Sequence, residues 1–197
     1  MKQIKTTRFG TLDVNSDHIV RFKDGMIGFI PLKDYFLVES PAMPLVLWLQ
    51  SVDEPDVAFP LIEPWFFKRD YKSVLTDADK FSIQLQDGDQ QKVLVVLTIP
   101  EDFEKMTVNM KAPVVINLTR GLATQTIIQD KGLELRVPAY AGFNAAIESL
   151  GNSESHDTHA ESADSNSEEI HWTQVLYKEF MTPKKDPHRE DTQDGVV

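Results

Sequence analysis

Two hydrophobic patterns divide the chain. Up to about residue 137 the apolar residues come in short runs cut by Pro, Gly, Asp and Asn, the pattern of strands joined by turns. After Asn144 large apolar residues become scarce, then return at helical spacing.

Residues 45–67, LVLWLQSVDEPDVAFPLIEPWFF, organise the first part. Residues 45–49 contain no polar side chain, so that strand is expected to be covered on both faces. Ser51, Asp53, Glu54, Pro55 and Asp56 follow as a turn. Carboxylates there can accept from free backbone N–H groups, and Pro55 presets φ. Residues 57–62 form the returning strand. Pro60 has no N–H to give a ladder, which predicts a sheet edge or a bulge. Trp65, Phe66 and Phe67 are expected to pack in the core. The adjacent Lys68 and Arg69 are too small a basic footprint for stacked nucleic-acid bases.

Further strands are predicted at residues 4–7 and 11–14 around Phe9 and Gly10, and at 18–22, 35–38, 93–99, 114–118, 122–129 and 133–137. The helix predicted within this part covers residues 76–85. Thr76 caps it, Asp77 and Asp79 sit in its first turn, and Phe81 and Leu85 share a face. Residues 103–106 read as a single helical turn. Asp87-Gly88-Asp89 lacks the terminal Glu of a calcium loop, so it reads as a plain turn. The fold class is all-β: an antiparallel β-barrel-like body, residues 1–143, with one short helix.

Residues 144–167 read as an acidic disordered linker, too poor in apolar groups to offset chain entropy. Ser165 and Glu168 have capping-box spacing. Ile170, Trp172, Val175, Leu176, Tyr177, Phe180 and Met181 then put most of their bulk on one helical face. Pro183 stops this amphipathic helix, 168–182, and a flexible tail, 183–197, follows. Such a helix docks on its own body or in a partner's groove.

Composition narrows the function. There is no Cys, which excludes disulfides and thiolate metal ligands. The net charge of -11 is uneven: residues 1–144 hold 19 acidic and 16 basic residues, residues 145–197 hold 12 and 4. A nearly balanced body disfavours nucleic-acid binding and fits a neutral or basic protein partner. No apolar segment follows Met1 and no run approaches the ~20 residues that cross a bilayer, so a cytoplasmic protein, not bound to membrane, is expected, and a monomer.

Catalytic signatures are scarce. Carboxylates cluster at Asp53, Glu54 and Asp56 and at Glu101, Asp102 and Glu104. A small hydrolase using Asp53 and Glu101 is the alternative reading, and it requires the two to converge in one pocket with a raised pKa. Turn capping explains the same residues more simply. Ser51 lacks a G-x-S-x-G setting. His156, His159, His171 and His188 lie in the polar tail, without a frame for metal geometry. No phosphate loop or dinucleotide fingerprint is present. A binding module without cofactor, and not an enzyme, is expected.

Four segments in order resemble the FliW family of flagellar assembly factors: Lys5-Thr6-Thr7-Arg8-Phe9-Gly10; the run from Trp48 through Gln50, Asp53 and Pro55 to Phe59; Thr98-Ile99-Pro100-Glu101-Asp102; and the run from Met106 through Asn109 and Pro113 to Asn117. The second and fourth are the specific ones. The resemblance covers residues 1–137 and stops before the linker and tail helix. It implies a non-enzymatic β-barrel-like protein that binds flagellin and the RNA-binding translational repressor CsrA. It implies that flagellin accumulation frees CsrA to repress flagellin mRNA, and that export reverses this. Gln50, Asp53, Pro55, Asn109, Pro113 and Asn117 are the residues expected to lie on, or fix turns near, the partner interface.

Overall fold

The computed structural model describes residues 1–73 and 75–154, with side chains to Ser149. Its elements in order are β1 (Lys2–Thr6), β2 (Gly10–Val14), β3 (Ile19–Phe22), β4 (Asp34–Glu39), β5 (Leu47–Ser51), β6 (Ala58–Ile62), α1 (Asp77–Ser82), β7 (Gln91–Thr98), β8 (Thr107–Val108), β9 (Val114–Asn117), β10 (Leu122–Gln125), β11 (Val137–Pro138) and α2 (Tyr140–Glu154). Short 3-10 turns stand at Ser16–His18, Pro64–Phe66 and Phe103–Lys105.

Seven strands close on themselves in the order β3, β4, β5, β6, β7, β9, β10. Their pairings are antiparallel except the last. There β10 runs parallel to β3, with Leu122 opposite Arg21 and Ala123 opposite Phe22, and this contact shuts the barrel. β8 and β11 extend the sheet outward from β7. β1 and β2 form a separate hairpin, with Gly10 at φ +71°, a conformation glycine adopts without steric cost.

Strand alternation sorts the apolar residues into two layers. Phe22, Tyr35, Leu49, Leu61, Leu94, Ile116 and Ala123 come one from each barrel strand and fill its interior. The alternate residues Trp48, Ile62, Val93, Val95, Leu97 and Val115 face outward. Met106, Val108, Met110, Ile128, Leu133 and Ala139 pack over them. Both faces of β5, β7 and β9 are therefore covered, which is why their runs lack the polar alternation of a half-exposed strand.

The all-β barrel agrees with the sequence reading, with local departures. Pro60 is not at an edge: β6 lies between β5 and β7. The β6–β7 ladder starts only at Leu61 and Ile62, so Pro60 falls outside it on that side. α1 is shorter than predicted. It has the Thr76 capping box with Asp79, but it ends before Gln84, at φ +50°, leaving Phe81 78% exposed while Leu85 reaches the core. β10 stops at Gln125. Residues 133–137 give no strand beyond Val137, and Leu135 is exposed. Trp65 and Phe66 are exposed, and only Phe67 of that trio packs on the core.

α2 crosses the boundary that the sequence reading placed between residues 143 and 144. It docks through Gly142, where an added Cβ would stand 2.8 Å from the Phe67 ring. The remainder of the expected linker, the 168–182 helix and the 183–197 tail lie outside the described residues.

Candidate protein-interaction surface

The first two family-like segments, some 40 residues apart in sequence, meet in space. The tip of the β1–β2 hairpin rests on the turn between β5 and β6. The Thr7 amide donates to the Pro55 carbonyl at 3.0 Å, and the Thr7 hydroxyl donates to the Asp56 carboxylate. Phe9 packs edge-on against Trp48, ring centres 5.8 Å apart. The Arg8 guanidinium lies over the same indole at 4.2 Å, a cation–π contact. Arg8, Asp53, Glu54, Pro55 and Asp56 are all exposed. One surface thus combines a fixed cation, a proline and three carboxylates.

Beneath it the turn is held from inside. Gln50 is fully buried. Its Nε2 lies 3.1 to 3.4 Å from the carbonyls of Ser51, Glu54, Pro55 and Val57. An amide nitrogen carries two protons, so the four acceptors share them. The Ser51 hydroxyl accepts from the amides of Asp53 and Glu54 at 3.2 and 3.1 Å. Of the six residues singled out from sequence, Gln50, Asp53 and Pro55 therefore belong to one structural unit. Asp53 and Pro55 are its outer face, and Gln50 is its internal clamp.

The other three lie elsewhere. Asn109 Oδ1 accepts from the amides of Lys111 and Ala112 at 3.2 and 3.0 Å, an Asx turn that leads into β9. Pro113 is buried and its carbonyl accepts from the Thr126 amide at 3.1 Å. Asn117 is fully buried. Its Nδ2 donates to the Ile83 carbonyl at 3.1 Å and to Asp89 at 2.9 Å, and its Oδ1 accepts from the Thr119 amide at 3.1 Å. Asn117 thereby ties the segment after α1 to the end of β9. Its hydrogen bond, with those from the Gln86 amide and Arg120, holds Asp89 below the usual carboxylate range. The same feature shows that Asp87-Gly88-Asp89 is a turn, with Gly88 at φ +90°.

Another feature escaped the sequence reading. Lys92, on β7, is 9% exposed in its side chain and donates to Glu63 at 2.6 Å. Burial pushes the nearby Glu39 carboxyl up, and the Lys92 charge opposes that shift. The second Glu63 oxygen accepts from the Trp65 indole at 2.7 Å. A buried cation thus orients a carboxylate that orients an exposed aromatic ring. The available signal was Pro64 after Glu63: a proline at the first position of a 3-10 turn ends the strand and starts the turn that carries Trp65.

Besides Met1, Phe81, Ile127 and Leu135, the exposed large apolar side chains fall on two sets of connections. Ile27, Phe29 and Ile30 project from the β3–β4 loop, whose Ile27 amide donates to Gln125 at 2.9 Å. Trp65, Phe66, Phe103 and Tyr140 sit on the Pro64–Phe66 turn, the Phe103–Lys105 turn and the first turn of α2; α2 packs against both turns.

Asp53 and Glu101 stand on separate connections, after β5 and after β7, and both are exposed. They share no enclosed pocket, which the hydrolase reading required. Among the described residues no group of three or more His, Asp and Glu is arranged to hold a metal ion. No helix there is long and apolar enough to cross a membrane.

These features define a small closed β-barrel whose distinctive sequence segments build outward-facing turns. The comparisons with known proteins agree in detail. The family model described as FliW protein matches residues 3–139, and the chain belongs to this family. The flagellar assembly factor FliW of Bdellovibrio bacteriovorus is 36% identical over 144 residues, covering 73% of this chain and 82% of that protein. The protein of the same name from Caldanaerobacter subterraneus subsp. tengcongensis is 32% identical, over 78% of this chain and 99% of its own length. A crystal structure of the flagellar assembly factor FliW superposes with a TM-score of 0.64 at 29% identity, covering 70% of this chain and 96% of that one. This chain is a flagellar assembly factor of the FliW family.

Proposed function

We propose that this protein works in the cytoplasm by exchanging two protein partners, flagellin and the RNA-binding repressor CsrA, and so couples flagellin translation to flagellin export. In this reading it performs no chemistry and uses no cofactor. It acts as a monomer that lends its surface first to one partner and then to the other. The observation that carries the reading is the joining of two family-like segments, Thr7-Arg8-Phe9 and Asp53–Asp56, into one exposed acidic turn with Arg8 at its margin. Three carboxylates on a preformed turn suit a basic RNA-binding protein, because complementary charge raises association rate and excludes wrong partners.

The experiment is a titration of the purified protein with flagellin and with CsrA, separately and together. Binding of each alone, with one weakening capture of the other, is the expected result. Asp53→Lys with Glu54→Lys should weaken CsrA binding at least tenfold without unfolding the barrel, since both side chains are exposed. Failure of both proteins to bind the unaltered chain would overturn the proposal.

A further inference from the structure

The β1–β2 hairpin is attached to the barrel differently at its two ends. It shares no ladder with the nine-stranded sheet, and a two-stranded ribbon has little stability of its own. At its base Ile4 and Val14 are buried with Phe36 of β4. Its tip is held by the Thr7 amide on the Pro55 carbonyl, the Thr7 hydroxyl on Asp56, and Phe9 and Arg8 on Trp48. The tip also carries bonds of its own: the Thr6 hydroxyl donates to the Gly10 carbonyl and accepts from the Phe9 amide, both at 2.9 Å. Beneath it Trp48 is 6% exposed, and its indole N–H has no acceptor among the described residues. A buried donor without a partner is costly, and lifting the tip returns it to water. The base is thus an apolar hinge and the tip the weakly held end.

Charge divides the same way. Residues 2–14 carry Lys2, Lys5 and Arg8 against Asp13 alone, whereas residues 53–56 carry Asp53, Glu54 and Asp56 with no cation. The hairpin presents to the turn the sign of charge that a basic protein would bring.

We propose that the hairpin is a built-in competitor for the acidic turn: its tip holds Asp56, and a basic protein segment gains the turn by drawing Asp56 away from Thr7 and lifting the tip from Trp48. A Lys or Arg donor makes a charge-assisted bond to the carboxylate, stronger than the one from a neutral hydroxyl. The coupling is reciprocal. Whatever loosens the tip raises affinity for the basic segment, and the closed hairpin sets a threshold for binding. This competition rests on the acidic turn being a docking surface for a basic protein, as proposed above. Its test uses neither flagellin nor CsrA, so the two proposals can fail separately.

The test is amide hydrogen exchange on the full chain, alone and with a hexalysine peptide. The Thr7 and Phe9 amides should exchange roughly tenfold faster than those of β5 to β7, and hexalysine should speed them about threefold further while leaving β5 to β7 unchanged. Asp56→Asn, at an exposed position, should abolish that response. Thr7→Val should lower about threefold the hexalysine concentration that gives half the response, a gain that a merely structural Thr7 would not produce. Tip amides that exchange together with the barrel would overturn the proposal. So would a tip slowed or left unchanged by hexalysine, or a response that persists in Asp56→Asn, which would place the peptide on other carboxylates.

Discussion

The backbone amide of Thr7 donates to the backbone carbonyl of Pro55 at 3.0 Å. That bond joins the separate β1–β2 hairpin to the barrel and aligns Arg8 and Phe9 on Trp48. Thr7→Pro removes the donor, and Thr7→Val removes only the hydroxyl that reaches Asp56. The proline variant should lose about 2 kcal/mol of stability and the valine variant at most about 1 kcal/mol. Urea unfolding measures both, and the proline variant should also red-shift tryptophan emission as Trp48 becomes wetter.

Gln50 supports the acidic turn by surrounding its Nε2 with carbonyl oxygens. Gln50→Glu puts a carboxylate against the same acceptors, and Gln50→Met puts an apolar group of similar size there. Near neutral pH the Glu variant should be the less stable, with a loss of about 3 kcal/mol or more. Burial raises a carboxyl pKa, so its penalty is full above the raised value and fades as pH falls toward 4. The two variants should converge in stability in acid. If Gln50→Glu is no worse than Gln50→Met at pH 7, the turn is not held as described.

The Lys92–Glu63 pair is nearly buried on the lysine side. Lys92→Met alone leaves Glu63 without its cation and should cost about 2–4 kcal/mol, whereas adding Glu63→Gln should recover most of that loss. Trp65 emission should change in the double variant, where Glu63→Gln takes away the charged acceptor of the indole N–H.

Tyr35 and Tyr71 are buried, and burial pushes each phenol up to about 12. The Tyr71 hydroxyl donates to the Met110 carbonyl at 2.8 Å; the Tyr35 hydroxyl has no partner among the described residues. Unfolded tyrosines ionise near 10. Below pH 10 neither contributes a pH dependence. Between pH 10 and 12 the unfolded state releases protons that the folded state keeps, so stability falls, by roughly 2–3 kcal/mol per tyrosine. Tyr35→Phe should remove about half of this alkaline loss and leave neutral stability unchanged or slightly higher. Urea midpoints at pH 9, 10 and 11 measure the effect.

Much of the barrel was legible because strand length and face coverage are written locally. The unbroken apolar runs before Gln50 and at 93–97 announce strands buried on both sides, and Thr76 with Asp77 and Asp79 after it announces a capped helix. The errors came where a distant element decides the outcome. Pro60 predicts an edge or a bulge because proline removes a donor. The sheet tolerates it because the ladder to β7 begins one residue later. Phe81 and Leu85 were read as one helical face, but the positive φ of Gln84 sends them to different surroundings. Residues 133–137 alternate like a strand, yet the short β8 offers partners only to Val137 and Pro138.

For the candidate interaction surface, the sequence by itself determined which residue types would sit in turns and which segments are family-like. Proline, aspartate and asparagine constrain the backbone within a few residues of themselves. Only the tertiary structure decided that Thr7-Arg8-Phe9 and Asp53–Asp56 form one surface, that Gln50 and Asn117 work from inside, and that Lys92 orients Trp65 from beneath. Those outcomes depend on closure of the barrel through the parallel β3–β10 contact and on the packing of hairpin and α2 against its outside. Such contacts between residues far apart in the chain leave no local periodicity from which they could be read.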